Sequence, residues 1–182
     1  MYRVYFNYER LKKSCQTILA VLVTLLIFSN PSLAEERQYK LEAAFLYSFF
    51  NYITWPGLLS PQDLQKPIVC VYGDDPIIPY LSYISNKMAE ERTLIVKTVK
   101  YAEAIAGCNI YFIRHRLSQD MEQSIPNDTL VVFKPDDPLD SAGMIELAQD
   151  GERISIKIDQ PRLEKDGFQI SSRLLDLARK VR

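Results

Sequence analysis

The chain has 182 residues, of which 47% are hydrophobic and 25% charged, and its formal net charge is -1. This length supports one domain with a hydrophobic core, and the near-neutral charge argues against a nucleic-acid-binding surface. A single histidine and three cysteines leave few ligands for a zinc site and few groups for histidine-based catalysis.

The N-terminal residues 1–34 have the pattern of a secretory signal peptide. A basic segment precedes an apolar run at residues 18–28, and Ser32-Leu33-Ala34 follows with small residues at both ends. The run has about 11 residues, whereas a helix needs about 20 to span a bilayer. We therefore predict cleavage between Ala34 and Glu35, which leaves one domain at 35–182. The alternative is an uncleaved N-terminal anchor.

The predicted cleavage decides which cysteines remain in the mature chain. Cys15 precedes the apolar run, so it would be removed with the leader, and Cys70 and Cys108 would remain. An even pair of cysteines in an oxidising compartment predicts a disulfide bond. Two buried free thiols are the alternative.

The first predicted element of the mature chain is a helix at 35–52. Its apolar residues recur at helical spacing, and a second apolar face includes Leu46, Phe50 and Ile53. A helix that is apolar on more than one side is either surrounded by core or contacts a partner protein. We therefore treat Leu46, Phe50 and Ile53 as candidate partner-binding residues, with packing in the core as the alternative.

The rest of the chain alternates between strands and helices. We predict strands at 68–72, 93–99, 108–113 and 129–133, and helices at 77–88, 101–106 and 118–125. A hairpin of strands 144–149 and 153–158 around Asp150-Gly151 and a helix at 171–181 follow. This order predicts an α/β fold, a single open sheet that is partly parallel with an antiparallel hairpin edge and has helices on both faces.

Several polar groups are candidates for a functional site. Gly73, Asp74 and Asp75 follow the first long strand, where open α/β sheets bind ligands, so they are ligand-pocket candidates; a helix-capping turn is the alternative. His115 has no evident nucleophile or orienting group in the sequence. The acidic cluster at 136–140 lacks the spacing of a calcium-binding loop, which favours a solvated turn. We assign no catalytic or metal-binding residue and no cofactor, and the chain is typical of a binding or regulatory module.

Four segments together resemble one family. They are Tyr39 to Phe49 leading to Trp55-Pro56, then residues 68–76, then residues 107–113, and finally Gly143-Met144-Ile145 through residues 156–158 to residues 171–175. Their order and spacing are similar to those of the YfiR family of periplasmic proteins, over essentially the whole mature chain.

The resemblance implies a Rossmann-like domain without dinucleotide chemistry and a location in the periplasm. It also implies a regulator that represses an inner-membrane diguanylate cyclase by binding its periplasmic sensory domain, which lowers cyclic-di-GMP and biofilm formation. Cys70 and Cys108 match the positions of a family disulfide, while a second pair found in the best-known member is missing here. We add Leu175 and Arg179 of the last helix to the partner-binding candidates. The family allows a homodimer, and a small-ligand-binding sensor is the alternative function.

Overall fold

The computed structural model describes residues 31–87, 93–100, 102–115, 117–134, 143–150 and 153–180. The chain divides into two units, residues 1–36 and residues 37–182. Helix α1 (Pro31–Tyr52) starts in the first unit and supplies the first residues of the second. Within the described ranges, none of the helices has both the length and the apolar character of a membrane-spanning segment. Cleavage between Ala34 and Glu35 stays a prediction.

A six-stranded sheet forms the centre of the second unit. Its strands are β2 (Ile68–Tyr72), β3 (Ile95–Val99), β4 (Ile110–Ile113), β5 (Leu130–Phe133), β6 (Ile145–Asp150) and β7 (Arg153–Ile158). They lie in the order β3-β2-β4-β5-β6-β7, and only the β6–β7 pair is antiparallel. The predicted open sheet with a hairpin edge is confirmed. The chain goes from β2 outward to β3 and then returns to β4 on the other side of β2, so the strand order reverses between β2 and β4.

Both faces of the sheet are covered by core. Alternate residues of its central strands point to opposite sides, so each of these strands contributes to two clusters of buried residues. Val69, Phe112 and Val132 belong to the larger core, together with α1, α2 (Ile78–Lys87), α4 (Gln160–Lys165) and α5 (Ser172–Lys180). Their neighbours Cys70, Tyr111 and Val131 belong to a smaller core that includes Met121 of α3 (Gln119–Gln123). The near-continuous apolar sequence of β2, β4 and β5 reflects this burial on two sides.

Some short elements differ from the sequence prediction. Strands β1 (Ile53–Thr54) and β8 (Gln169–Ile170) form a separate antiparallel pair, and α4 is a helix that the sequence analysis does not predict. The segment predicted as a helix at 101–106 contains a 3₁₀ helix at Ala102–Ile105. Strands β1 and β8 have two residues each and α4 has six. A two-residue strand and a helix of less than two turns are too short to show a hydrophobic period in the sequence.

The second apolar face of α1 is part of the core, which corrects one interpretation. Leu46 and Phe50 of α1 and Ile53, which the structure places in β1, are at most 1% exposed and all belong to the larger core. A fully buried side chain offers no surface to another protein, so these three residues are not partner-binding residues in the folded chain. Helix α1 is apolar on several sides because it lies against the sheet while its end packs beside Trp55 and Phe168.

The structure contains the disulfide between Cys70 and Cys108, as the sequence predicts. Cys70 lies within β2 and Cys108 precedes β4, and their Cα atoms are 5.7 Å apart. Both residues are buried in the smaller core. The bond therefore joins β2 to the segment just before β4, next to the point at which the strand order reverses.

The smaller core also contains Tyr111, whose ring meets that of Tyr72 edge to face at 6.5 Å between centroids. Its hydroxyl is buried and has no hydrogen-bond partner among the described residues. Burial, with a smaller contribution from Tyr72, raises the pKa of Tyr111 well above its ordinary value. The folded chain therefore keeps this proton at pH values where the unfolded chain releases it, and stability falls as the pH rises above about 10.

We expect Tyr111→Phe to remove this loss of stability. Between pH 9 and pH 11 the wild-type protein should lose about 1 kcal/mol more of its unfolding free energy than the variant does. Urea unfolding at the two pH values measures the difference. Tyr83→Phe is the matched control, because Tyr83 is 65% exposed and its change should leave the pH dependence as it is. The prediction would be contradicted if the wild type and Tyr111→Phe lost the same unfolding free energy between pH 9 and pH 11.

Candidate functional site

Four charged side chains meet at the carboxyl edge of the parallel strands. Asp75 follows β2, Arg114 follows β4, and Lys134 follows β5, while Glu42 reaches them from α1. We call these four residues the ion cluster. The cluster lies at the carboxyl ends of β2 and β4, between which the strand order reverses, and open α/β sheets ordinarily hold their ligands at this position.

Arg114 is the centre of the ion cluster. Its Nη2 atom donates to Oε2 of Glu42, and its Nε atom donates to Oδ2 of Asp75 at 2.6 Å. Lys134 Nζ lies 3.0 Å from the other carboxylate oxygen of Glu42, which also accepts a hydrogen bond from the amide of Gln38 at 3.0 Å. The Glu42 side chain is fully buried, and the other three members of the cluster are at most 10% exposed.

Aromatic rings enclose the guanidinium group of Arg114. Its central carbon lies 5.1 Å from the ring centroid of Tyr39 and 5.1 Å from that of Phe112, and both distances are within the range of cation–π attraction. Burial alone would lower the pKa of Arg114, but the hydrogen bonds and charges of Glu42 and then Asp75 outweigh it and raise the pKa. Arg114 therefore stays charged inside the protein.

The pairing of charges decides what the ion cluster can do. Two carboxylates face two cations, and the oxygens of Glu42 already accept from Arg114, Lys134 and Gln38. A general base needs an oxygen that can reach a substrate proton, and Glu42 has its oxygens committed to partners within the chain. The geometry therefore serves to hold α1 against the ends of three strands.

The ligand-pocket candidates take part in this arrangement in different ways. Asp75 Oδ2 contacts Arg114, while its Oδ1 accepts the backbone N–H of Ile77 at 2.8 Å, so Asp75 also makes the capping turn before α2. Asp74 is exposed and pairs with Lys100 at 3.3 Å. Gly73 adopts φ +71°, a backbone conformation that favours glycine. Binding of a ligand at these three residues stays a prediction.

The remaining candidates lie apart from the ion cluster. Leu175 is half-buried on α5, which also includes Arg179, although the side chain of Arg179 is outside the described residues. Both stay predicted partner-binding residues. His115 is exposed beside Arg114. The acidic turn at 136–140 lies outside the described residues.

Glu42, Arg114 and Lys134 are not predicted to form a group, although the sequence holds a signal for each. Glu42 interrupts an otherwise apolar stretch of α1, and Arg114 and Lys134 directly follow strands whose four residues are all buried. The carboxyl ends of neighbouring parallel strands meet at one edge of a sheet, so two cations in these positions predict a buried carboxylate nearby.

A groove between α1 and α2 lies next to the ion cluster. Tyr80 stacks on Tyr39, with 6.0 Å between the ring centroids, so the ring that covers Arg114 also supports the groove. The volume of the groove is about 780 Å³. We call it the α1/α2 groove, and its lining includes Lys40, Ala44 and Tyr47 from α1 and Tyr80, Tyr83, Ile84 and Lys87 from α2.

One family model matches the chain. The family described as YfiR/HmsC-like matches residues 39–179, which include the whole sheet, the ion cluster and the α1/α2 groove. No curated protein matches the sequence.

Proposed function

We propose that this chain, which belongs to the YfiR/HmsC-like family, is a periplasmic regulator that binds the periplasmic domain of an inner-membrane diguanylate cyclase. Binding represses the cyclase, lowers cyclic-di-GMP and thereby reduces biofilm formation. The family is a regulatory one, and its match over residues 39–179 is the observation that carries the proposal. The predicted leader at 1–34 and the Cys70–Cys108 disulfide support export to an oxidising compartment.

A repressor of this kind acts by binding and not by catalysis. It must bind one state of the cyclase more tightly than the other, because a ligand shifts an equilibrium only by its difference in affinity. A tenfold shift needs about 1.4 kcal/mol, which corresponds to burying a few tens of square ångströms of apolar surface. No cofactor is needed for such a mechanism.

Two features support this role, because they hold the helices and strands together as a rigid body to which a partner can bind. The disulfide joins β2 to the residues before β4, and the ion cluster joins α1 to the ends of β2, β4 and β5. A surface that is already ordered loses little conformational entropy on binding, so more of the contact energy appears as affinity.

Deletion of the gene tests the proposal. Loss of the chain should raise cellular cyclic-di-GMP, and the full chain with its own N-terminal segment should restore the lower level when it is supplied again. The tagged chain should also co-purify with a membrane diguanylate cyclase. A chain with the leader removed, residues 35–182, is the control, because it would stay in the cytosol and should not restore repression. Unchanged cyclic-di-GMP on deletion, with no cyclase recovered, would rule the proposal out.

A further inference from the structure

We propose that two copies of this chain join through β7, the hairpin strand at one edge of the six-stranded sheet, and form a closed dimer with one continuous sheet. The inference goes beyond the proposed function and does not depend on it. The described strands lie in the order β3-β2-β4-β5-β6-β7, so β3 and β7 are the edges at which a further strand can be added.

Strand β7 has a row of backbone groups that point away from the sheet. The N–H group of Asp159, which follows β7, donates to the carbonyl oxygen of Met144 at 2.9 Å, so these two residues form a hydrogen-bonded pair that continues the β6–β7 ladder. Such pairs alternate along an antiparallel ladder, which directs the N–H and C=O groups of Ile154, Ile156 and Ile158 outward. Since β7 is the last described strand on this side, a second strand could bond all of these groups.

The outward groups of β7 match those of a second β7 that runs antiparallel to the first. When Ile156 faces Ile156 of the second copy, Ile154 faces Ile158 of that copy, and each pair of facing residues can exchange two backbone hydrogen bonds. The side chains of all three lie on the face of the larger core. Ile158 is half-buried, so the pairing would bury more of it beside Ile154 of the second copy. A two-fold axis at Ile156 uses the free edge of both strands and therefore closes the assembly.

The charged residues of β7 favour this register. Arg153, Ser155 and Lys157 lie on the opposite face from the isoleucines. In the register centred on Ile156, Arg153 faces Asp159 of the second copy, and the two-fold axis repeats this ion pair. Arg153 is exposed, and within the described part of the chain no ion pair holds it. Asp159 is exposed as well and uses one oxygen, Oδ1, to cap α4, so its other oxygen can accept from Arg153.

The same charges disfavour the two neighbouring registers. A shift of two residues in one direction would place Arg153 opposite Lys157 of the second copy. A shift in the other direction would place Lys157 opposite Lys157. Like charges that face each other across a strand pair are destabilising, whereas in the proposed register Lys157 faces Ser155 and keeps its own partner, Glu146, at 2.8 Å. The charge pattern therefore specifies one alignment of the two strands.

The other edge of the sheet is protected against the same contact. The N–H group of Ile95 donates to the segment before β2, so the outward backbone groups of β3 belong to its neighbours in the alternation, Val96 and Thr98. Antiparallel pairing of Val96 with Thr98 of a second copy would place Lys97, which is exposed, opposite Lys97. Lysine on an edge strand is a common means by which proteins prevent edge-to-edge association. The assembly should therefore stop at two copies.

Cysteine crosslinking tests the register. The full chain carrying Ser155→Cys and the full chain carrying Lys157→Cys are exported, purified separately, mixed so that their copies exchange, and then oxidised. The proposed register places positions 155 and 157 of different copies directly opposite each other, at a separation that suits a disulfide. The mixture should therefore form a crosslinked dimer, and each variant alone should not. A crosslink from Ser155→Cys alone or from Lys157→Cys alone would show one of the shifted registers and would contradict the inference.

Charge reversal tests the ion pair. In sedimentation velocity, the wild-type chain should have twice the mass of a single chain at micromolar concentration. Arg153→Glu places a carboxylate opposite Asp159 in both halves of the seam and should weaken the dimer about tenfold. Lys97→Glu makes the same change of charge on the other edge of the sheet and should alter the dimer Kd less than threefold. Both residues are exposed, so both variants should melt like the wild type.

The outcomes separate this inference from the proposed function, because neither experiment contains the cyclase. A wild-type chain that is a monomer at high micromolar concentration would overturn the inference and leave the regulator as proposed, with β7 open to a strand from another protein. A dimer that Arg153→Glu leaves intact, or a mixture that does not crosslink, would place the contact elsewhere and would also overturn it. A crosslinked dimer together with unchanged cyclic-di-GMP on deletion would support the seam and contradict the proposed function.

Discussion

Replacing Arg114 by methionine is expected to lower the free energy of unfolding by about 3–5 kcal/mol, because it leaves buried carboxylates without their main cation. Among the described residues, Glu42 would keep Lys134 as its one charged partner, and Asp75 would lose its contact with Nε. The variant would also lose the cation–π contacts with Tyr39 and Phe112. Urea unfolding followed by circular dichroism measures the change.

Arg173→Met is the matched control, because Arg173 is exposed on α5. A surface substitution of this kind should change the unfolding free energy by less than about 0.5 kcal/mol. Adding Glu42→Gln to Arg114→Met should cost less than the sum of the two single changes, because the second change removes the unpaired carboxylate that the first creates. An Arg114→Met protein as stable as the control would show that the cluster does not hold α1 in place.

Removing the disulfide should lower the free energy of unfolding by about as much as Arg114→Met does. The bond joins cysteines 38 positions apart, and for a loop of this length the chain-entropy model gives about 4 kcal/mol of stabilisation. Cys70→Ala, Cys108→Ala should therefore unfold at much lower urea concentration than the wild type. The main reason is the larger freedom of the unfolded chain, with a further contribution from the volume lost in the smaller core.

Reduction separates these two contributions. Wild-type protein in dithiothreitol keeps both sulfur atoms, so its loss of stability reports the crosslink alone and should be smaller than that of the double variant. The same reductant should leave the double variant unchanged. If reduction does not destabilise the wild type, the bond adds nothing to the stability of the fold.

The positions of the main strands along the chain could be predicted, because their apolar runs are distinct, whereas their order in the sheet was not predicted. Ile68–Tyr72, Ile110–Ile113 and Leu130–Phe133 are each buried on both sides of the sheet, and such strands read as continuous hydrophobic segments. The hairpin is equally clear in the sequence, where Asp150-Gly151 separates two alternating segments. In the structure Asp150 is the last residue of β6 and pairs with Arg153. These signals are local, so one sequence was sufficient to find them.

The candidate site was harder to predict because its residues come from distant parts of the chain. The position of Asp75 after a strand makes it a candidate, but nothing in the sequence pairs it with Arg114, which lies 39 residues further along the chain. Glu42 lies on a helix whose apolar residues are predicted to contact a partner. Only the packing of α1 shows that the carboxylate of Glu42 is buried. Pairing across such separations leaves no periodic pattern in the sequence.

Glu42 and Arg114 are 72 residues apart, and this spacing affects when the chain can fold. The helix that contains Glu42 leaves the ribosome well before the strand that supplies its counter-ion, so a partly synthesised chain has an acidic group that a closed interior would not tolerate. Closure of the core around α1 is therefore disfavoured until the chain has been made as far as β4.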